Sequence, residues 1–189
     1  MTAGNPVSIT TFSARETAIV GRFLARSLRG SHVVALVGGL GSGKTVLAQA
    51  MAGALGIRRL IKSPTFVLIA GHRTRGGRVP PLFHIDCYRI KRLTWSDRAA
   101  IREAIETPGA VTLIEWADRI PSVIAHVPQR RLTTVRFGAG GADSRHLTVS
   151  GGLTGSVRKW GRADLSRWAP SARRRERRSR GRRPPCVRS

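Results

Sequence analysis

An α/β fold is what this sequence predicts, and three consecutive segments carry the prediction. Val33-Val34-Ala35-Leu36-Val37 is a β-branched apolar run with the length of a buried strand. Gly38-Gly39-Leu40-Gly41-Ser42-Gly43-Lys44-Thr45 follows it and fits the pattern G-x-x-x-x-G-K-[ST] at every fixed position. Val46 to Leu55 then places Leu47, Ala50, Met51 and Ala54 at helical spacing. Strand, glycine loop and helix in that order make the class α/β, P-loop NTPase-like. Glycines let the backbone take positive φ and turn its N–H groups toward a phosphate. The helix N-terminus adds positive potential. Lys44, expected to be exposed in the empty loop, would bridge β- and γ-phosphates, and the Thr45 hydroxyl would ligate Mg²⁺.

The remaining elements follow in order. Ser13-Ala14-Arg15-Glu16 has the Ser-x-x-Glu form of a capping box and leads into a helix over 17–28, with Ile19, Val20, Phe23 and Leu24 on one face. Gly30-Ser31 ends it. After the loop helix, Leu55-Gly56-Ile57 reads as a glycine stop. Ser63-Pro64-Thr65 turns the chain into a strand over 66–70, and the basic, glycine-rich stretch 73–79 predicts a hairpin partner at 82–85. Trp95 to Ile105 is weakly helical, with a cap from Thr94 or Ser96. Residues 111–114 form another buried-strand run, Pro121 and Pro128 flank a short segment, and 132–137 with 146–149 alternate like a final hairpin. There is no internal repeat.

At 189 residues and 41% hydrophobic content the chain suits one domain with a tail. No apolar run approaches the roughly 18 to 20 residues that span a bilayer. Nor does the start of the chain read as a signal peptide. Cys87 and Cys186 are too far apart to suggest a disulfide framework or a metal cluster, so a reducing cytoplasm is the expected location. The net charge of +24 divides unevenly: residues 156–189 hold 13 basic and 2 acidic residues, a net +11. That stretch lacks apolar periodicity and ends in Pro184-Pro185, which predicts a domain over 1–155 and a disordered Arg-rich tail over 156–189. Arginine outnumbers lysine 30 to 4, as a GC-rich coding bias would produce. The tail is either an adventitious, solubilising extension or an electrostatic arm for RNA.

Two acidic residues at strand ends narrow the chemistry. Asp86 sits in His84-Ile85-Asp86-Cys87-Tyr88-Arg89, where a carboxylate can hold magnesium through water or orient an attacking water. Glu115 ends Leu113-Ile114-Glu115-Trp116, the placement of a Walker B carboxylate that completes a magnesium shell. Each alone also fits a strand-end charge paired with one of many arginines; beside a complete phosphate loop, the functional reading is stronger for both.

The set GGLGSGKT, SPTF (63–66), HIDCYR (84–89) and LIEW (113–116), in this order and spacing, resembles the TsaE (YjeE) family over residues 7–150. The resemblance implies an α/β fold with a central β-sheet flanked by helices. It also implies a small ATPase needed to make threonylcarbamoyladenosine in tRNA, beside the anticodon, working with TsaD- and TsaB-like proteins. By position it implies that the loop from Gly39 through Leu40, Gly41, Ser42, Gly43 and Lys44 to Thr45 holds the phosphates of ATP. Thr45 and Glu115 would ligate Mg²⁺, and Asp86, Lys44 and Glu115 would be the catalytic set. Ser63 and Thr65 match a switch-like segment near the γ-phosphate, Trp116 follows the metal ligand, Arg145 approaches the nucleotide, and the helix start at Ala14–Thr17 lies near the adenine. The tRNA is substrate of the complex, with direct contact through basic surface or tail. The chain departs from the family in having Gly39 where Asp is usual, in lacking a glycine within 95–104, and in its tail. Two other readings are a small-molecule P-loop kinase and an RNA-binding module with a vestigial nucleotide site. The first would need a lid, for which Gly71–Arg78 is short, and the second an aromatic platform that the sequence does not display.

Overall fold

The computed structural model describes residues 5–28, 30–57, 68–72, 81–138, 140 and 144–163. In chain order they form β1 (Val7–Thr11), α1 (Ala14–Ser27), β2 (His32–Val37), α2 (Lys44–Ala54), β3 (Ile69–His72), β4 (Leu82–Asp86), α3 (Trp95–Glu106), β5 (Val111–Glu115), α4 (Pro121–Ile124), β6 (Leu132–Gly138), β7 (Arg145–Gly151) and α5 (Thr154–Ala163). One seven-stranded sheet runs β1-β7-β6-β2-β5-β4-β3. Its centre is parallel, with β2 between β5 and β6 and β4 beside β5. The edges are antiparallel: β3 pairs with β4, and β7 lies between β6 and β1.

Alternation along the central strands separates two cores. Val34, Leu36, Leu113, Val135 and Leu147 face α1, α2 and α5, whereas Val33, Ala35, Ile85 and Ile114 face α3 and the segment after β5. A parallel strand buried on both faces must be apolar on both, which is why β2 reads as a continuous hydrophobic run.

Local signals set most helix ends. Ser13 caps α1 by accepting the Glu16 amide at 3.1 Å. The return bond of Glu16 reaches the amide of Phe12 at 2.8 Å rather than that of the cap residue. Thr94, not Ser96, caps α3 in a full capping box with Asp97. Of the expected strand over 66–70, residues 69 and 70 open β3 and residue 68 precedes it; 66 and 67, like 73–79, lie outside the described residues.

The domain boundary expected at 155 is too early. α5 continues to Ala163, with Val157 and Trp160 buried and Trp160 stacked on Phe23 at a centroid distance of 4.4 Å. Among the residues whose side chains are described, Val157 and Trp160, with Leu153 before the helix, make the apolar face, and the surrounding Gly and Arg hid the helical spacing. Residues 164–189 lie outside the described residues. Trp160→Ala should cost about 3 kcal/mol, the low end for truncating a buried tryptophan, read by denaturant titration. Truncation after 163 should leave the melting temperature unchanged, whereas truncation after 155 should lower it. Equal melts for the parent and both shortened chains would show that α5 adds nothing to the fold.

A second expectation arises at the start of β2. His32 is buried, with Nε2 2.9 Å from the Thr133 hydroxyl, an oxygen that also accepts the Leu153 amide. Burial foremost, and then the nearby charge of Arg131, lowers its pKa from 6.5 to about 4. Above pH 6.5 the ring is neutral whether the chain is folded or not. Below that the unfolded chain takes up the proton first, so stability falls until pH reaches about 4, by about 3 kcal/mol at most. His32→Gln should flatten the melting temperature between pH 6.5 and 4; a variant as acid-sensitive as the parent would exclude His32 as the cause.

Candidate active site

The loop leaves the sheet centre through Gly38, whose φ is 152°. A Cβ there would stand 2.8 Å from the Phe137 Cβ and 2.9 Å from its carbonyl, so only glycine fits. The loop ends at Gly43, with φ 105°, which starts α2 without a side-chain cap. The first N–H groups of α2 are therefore left to an incoming anion.

Lys44 is buried, with 4% of its surface exposed, and not exposed as expected. Its ammonium donates to the carbonyls of Gly38 at 2.8 Å and Gly39 at 2.6 Å, and to Ser42 Oγ at 3.3 Å. The Trp116 ring lies over it at 3.9 Å. Burial lowers the lysine's pKa, and Glu115, Asp118 and Asp86 oppose that shift.

Strand order brings the acids together. In the parallel register Glu115 lies between Leu36 of β2 and Asp86 of β4. Glu115 is 1% exposed; its Oε2 accepts the Thr45 hydroxyl at 2.7 Å and its Oε1 pairs with His84 Nε2 at 2.9 Å. Asp86 Oδ1 accepts the Tyr88 amide at 2.9 Å. Loop residues 40–46 with Asp86, Tyr88, Glu115 and Trp116 line one cavity of about 350 Å³. Trp116 has φ 57°, a left-handed conformation that is rare for a bulky residue and marks stored strain. Its ring meets that of Tyr88 at 5.0 Å.

The structure thus gathers Leu40, Gly41, Ser42, Gly43, Lys44, Thr45, Asp86, Glu115 and Trp116 around one pocket, with Gly39 tied in through its bond to Lys44. Arg145 joins them from β7: its Cδ is 3.4 Å from where a Cβ on Gly43 would stand. Thr17 does not join them. It is fully buried and its hydroxyl pairs with Thr11 Oγ1 at 2.9 Å, because α1 turns that side chain toward β1. Ser63 and Thr65 lie outside the described residues. Cys87 beside Asp86 is an inert thiol, pushed up to about 12 chiefly by burial. Tyr88 in the pocket wall and His84 behind Glu115 carry no individual role in the sequence reading. For His84 the signal was present, since residues 84 and 86 share one face of a strand.

With this geometry in place, likeness to known proteins becomes informative. The family described as "Threonylcarbamoyl adenosine biosynthesis protein TsaE" matches residues 11–147. The chain belongs to the TsaE family. A tRNA threonylcarbamoyladenosine biosynthesis protein TsaE from Streptomyces coelicolor is 32% identical over 147 residues, 78% of this chain and 95% of that protein. The TsaE proteins of Bacillus subtilis and Treponema pallidum are 35% and 36% identical over 74% and 73% of this chain, and over 82% and 96% of their own lengths. The crystal structure of Bacillus subtilis YdiB superposes with a TM-score of 0.61 at 27% identity, covering 88% of this chain and 97% of that one. The TsaE match spans every residue of the pocket, from Gly38 to Trp116, and Arg145.

Proposed function

We propose that this TsaE-family protein binds ATP with Mg²⁺ at the phosphate loop and hydrolyses it. The hydrolysis supports turnover of a TsaD/TsaB-like transferase that forms threonylcarbamoyladenosine in tRNA, in the cytoplasm. The observation that carries the reading is the convergence of Lys44 and Thr45 at the start of α2 with Glu115 and Asp86 on adjacent strand ends, all on one cavity.

The residues present suit magnesium. A hydroxyl and a carboxylate oxygen 2.7 Å apart at the cavity wall are hard donors, and one or two protein oxygens completed by phosphates suffice for this ion. When bound, the ion would neutralise phosphate charge. The chain does the rest. Loop amides and the start of α2 hold the phosphates. Lys44 exchanges the carbonyls of Gly38 and Gly39 for phosphate oxygens. Arg145 adds a second cation beside Gly43. Asp86, held by the Tyr88 amide, orients a water and accepts its proton.

The test is reconstitution. ATP binding should be magnesium-dependent for the protein alone, and phosphate release should rise when TsaD- and TsaB-like proteins are added. Binding indifferent to magnesium, or a rate that the partners leave unchanged, would overturn this reading. Phosphate transfer to a small acceptor would turn the assignment to a kinase.

A further inference from the structure

His84 is a fully buried polar residue to which the reaction above assigns no part. We propose that His84 is a positioning residue: it fixes the Glu115 carboxylate so that Oε2 faces Thr45 and the metal seat. The inference rests on the reading of Glu115 as a magnesium ligand.

The reading of Glu115 as a magnesium ligand determines who donates. An ionised carboxylate only accepts, so the proton between the two side chains sits on Nε2 of His84, 2.9 Å from Oε1. The Thr45 hydroxyl donates to the other oxygen at 2.7 Å. Glu115 is thus held through both oxygens, one from the phosphate-loop helix and one from β4. Among the described residues, Nδ1 of His84 is buried without a hydrogen-bond partner. The strand neighbours of His84 are apolar: Leu82 precedes it on the same face, and its register partner in β5 is Leu113, both fully buried. An aliphatic side chain would pack there without stranding a nitrogen, and leaving a buried nitrogen unpaired is costly. What the imidazole contributes at this position is its bond to Glu115.

That bond serves the loaded site as well. A hydroxyl that gives a lone pair to a cation keeps its hydrogen, so Thr45 would still donate to Oε2 while His84 holds Oε1. The two donors together keep the carboxylate plane in place. Removing a hydrogen-bond partner that orients a metal ligand typically lowers metal affinity by about 10- to 100-fold.

The experiment measures affinity for a non-hydrolysable ATP analogue across a Mg²⁺ titration and in chelator, for the parent, His84→Phe and His84→Gln. In His84→Phe, the magnesium midpoint should rise at least about tenfold, while metal-free affinity stays at the parent value. His84→Gln, whose amide nitrogen reaches a similar point as Nε2, should restore most of the loss. In a Glu115→Ala background, His84→Phe should change nothing further. If His84→Phe does not fold, His84→Asn replaces it, since that amide is too short to reach Oε1 and should show the same rise. A parental midpoint in the folded donor-less variant, or Gln as impaired as Phe, would overturn the inference. A parent whose nucleotide affinity ignores magnesium would instead overturn the functional reading beneath it.

Discussion

Lys44→Ala is expected to weaken ATP binding by roughly 10²- to 10³-fold, the loss of one or two hydrogen bonds to charged groups at about 1.5–3 kcal/mol each. The structure adds a smaller second effect. Because Lys44 is buried under Trp116 and bonded to Gly38 and Gly39, its removal also loosens the loop. A modest fall in melting temperature should therefore accompany the loss of binding. The two effects separate by experiment, since the fall in stability is seen without nucleotide and the fall in affinity is read by calorimetric titration of a folded variant. Lys44→Met keeps most of the stem against the indole and should recover stability without recovering affinity. Undiminished magnesium-dependent ATPase in the folded alanine variant would remove the phosphate loop from the mechanism.

Signals that are local in sequence were legible, and those that depend on strand order were not. The phosphate loop announces itself through glycines between a buried strand and a helix, and β6 and β7 through alternation around a glycine-rich turn. Thr94 as a cap needed only the residues that follow it. β1 is different. It turns Ile9 and Thr11 inward, but its five residues pair at the sheet edge with β7, between Val7↔Val149 and Thr11↔Arg145, far away in the chain, so no nearby turn marks it. The same limit hid the core of the site. That Glu115 would lie beside Asp86 and beneath Thr45 follows from β5 lying between β2 and β4, an order that no local pattern states. The contact of Thr17 with Thr11 of β1 belongs to the same class, since no local pattern in α1 states which way that side chain turns. The left-handed Trp116 had no sequence signal either, since nothing in LIEW demands positive φ.

Asp86→Asn should retain nucleotide and lose turnover by roughly 10²- to 10⁴-fold, the usual range for a residue in general acid–base catalysis. The structure makes the substitution a clean one. The oxygen that accepts the Tyr88 amide survives as the amide oxygen of asparagine, so the turn after β4 keeps its bond. The side chain lies at the cavity wall rather than in either apolar core, so folding should be unaffected. What disappears is the capacity to take a proton from water. Glu115, next to it in the register, is assigned to the metal seat and is held there by Thr45 and His84, so it does not take over the role of base. The measurement is single-turnover hydrolysis at saturating ATP and Mg²⁺ beside the dissociation constant of the analogue. A large fall in rate with unchanged affinity places Asp86 on the reacting water. A parallel fall in both would make it a group that holds the nucleotide or its metal, and the role of base would pass to another residue of the pocket.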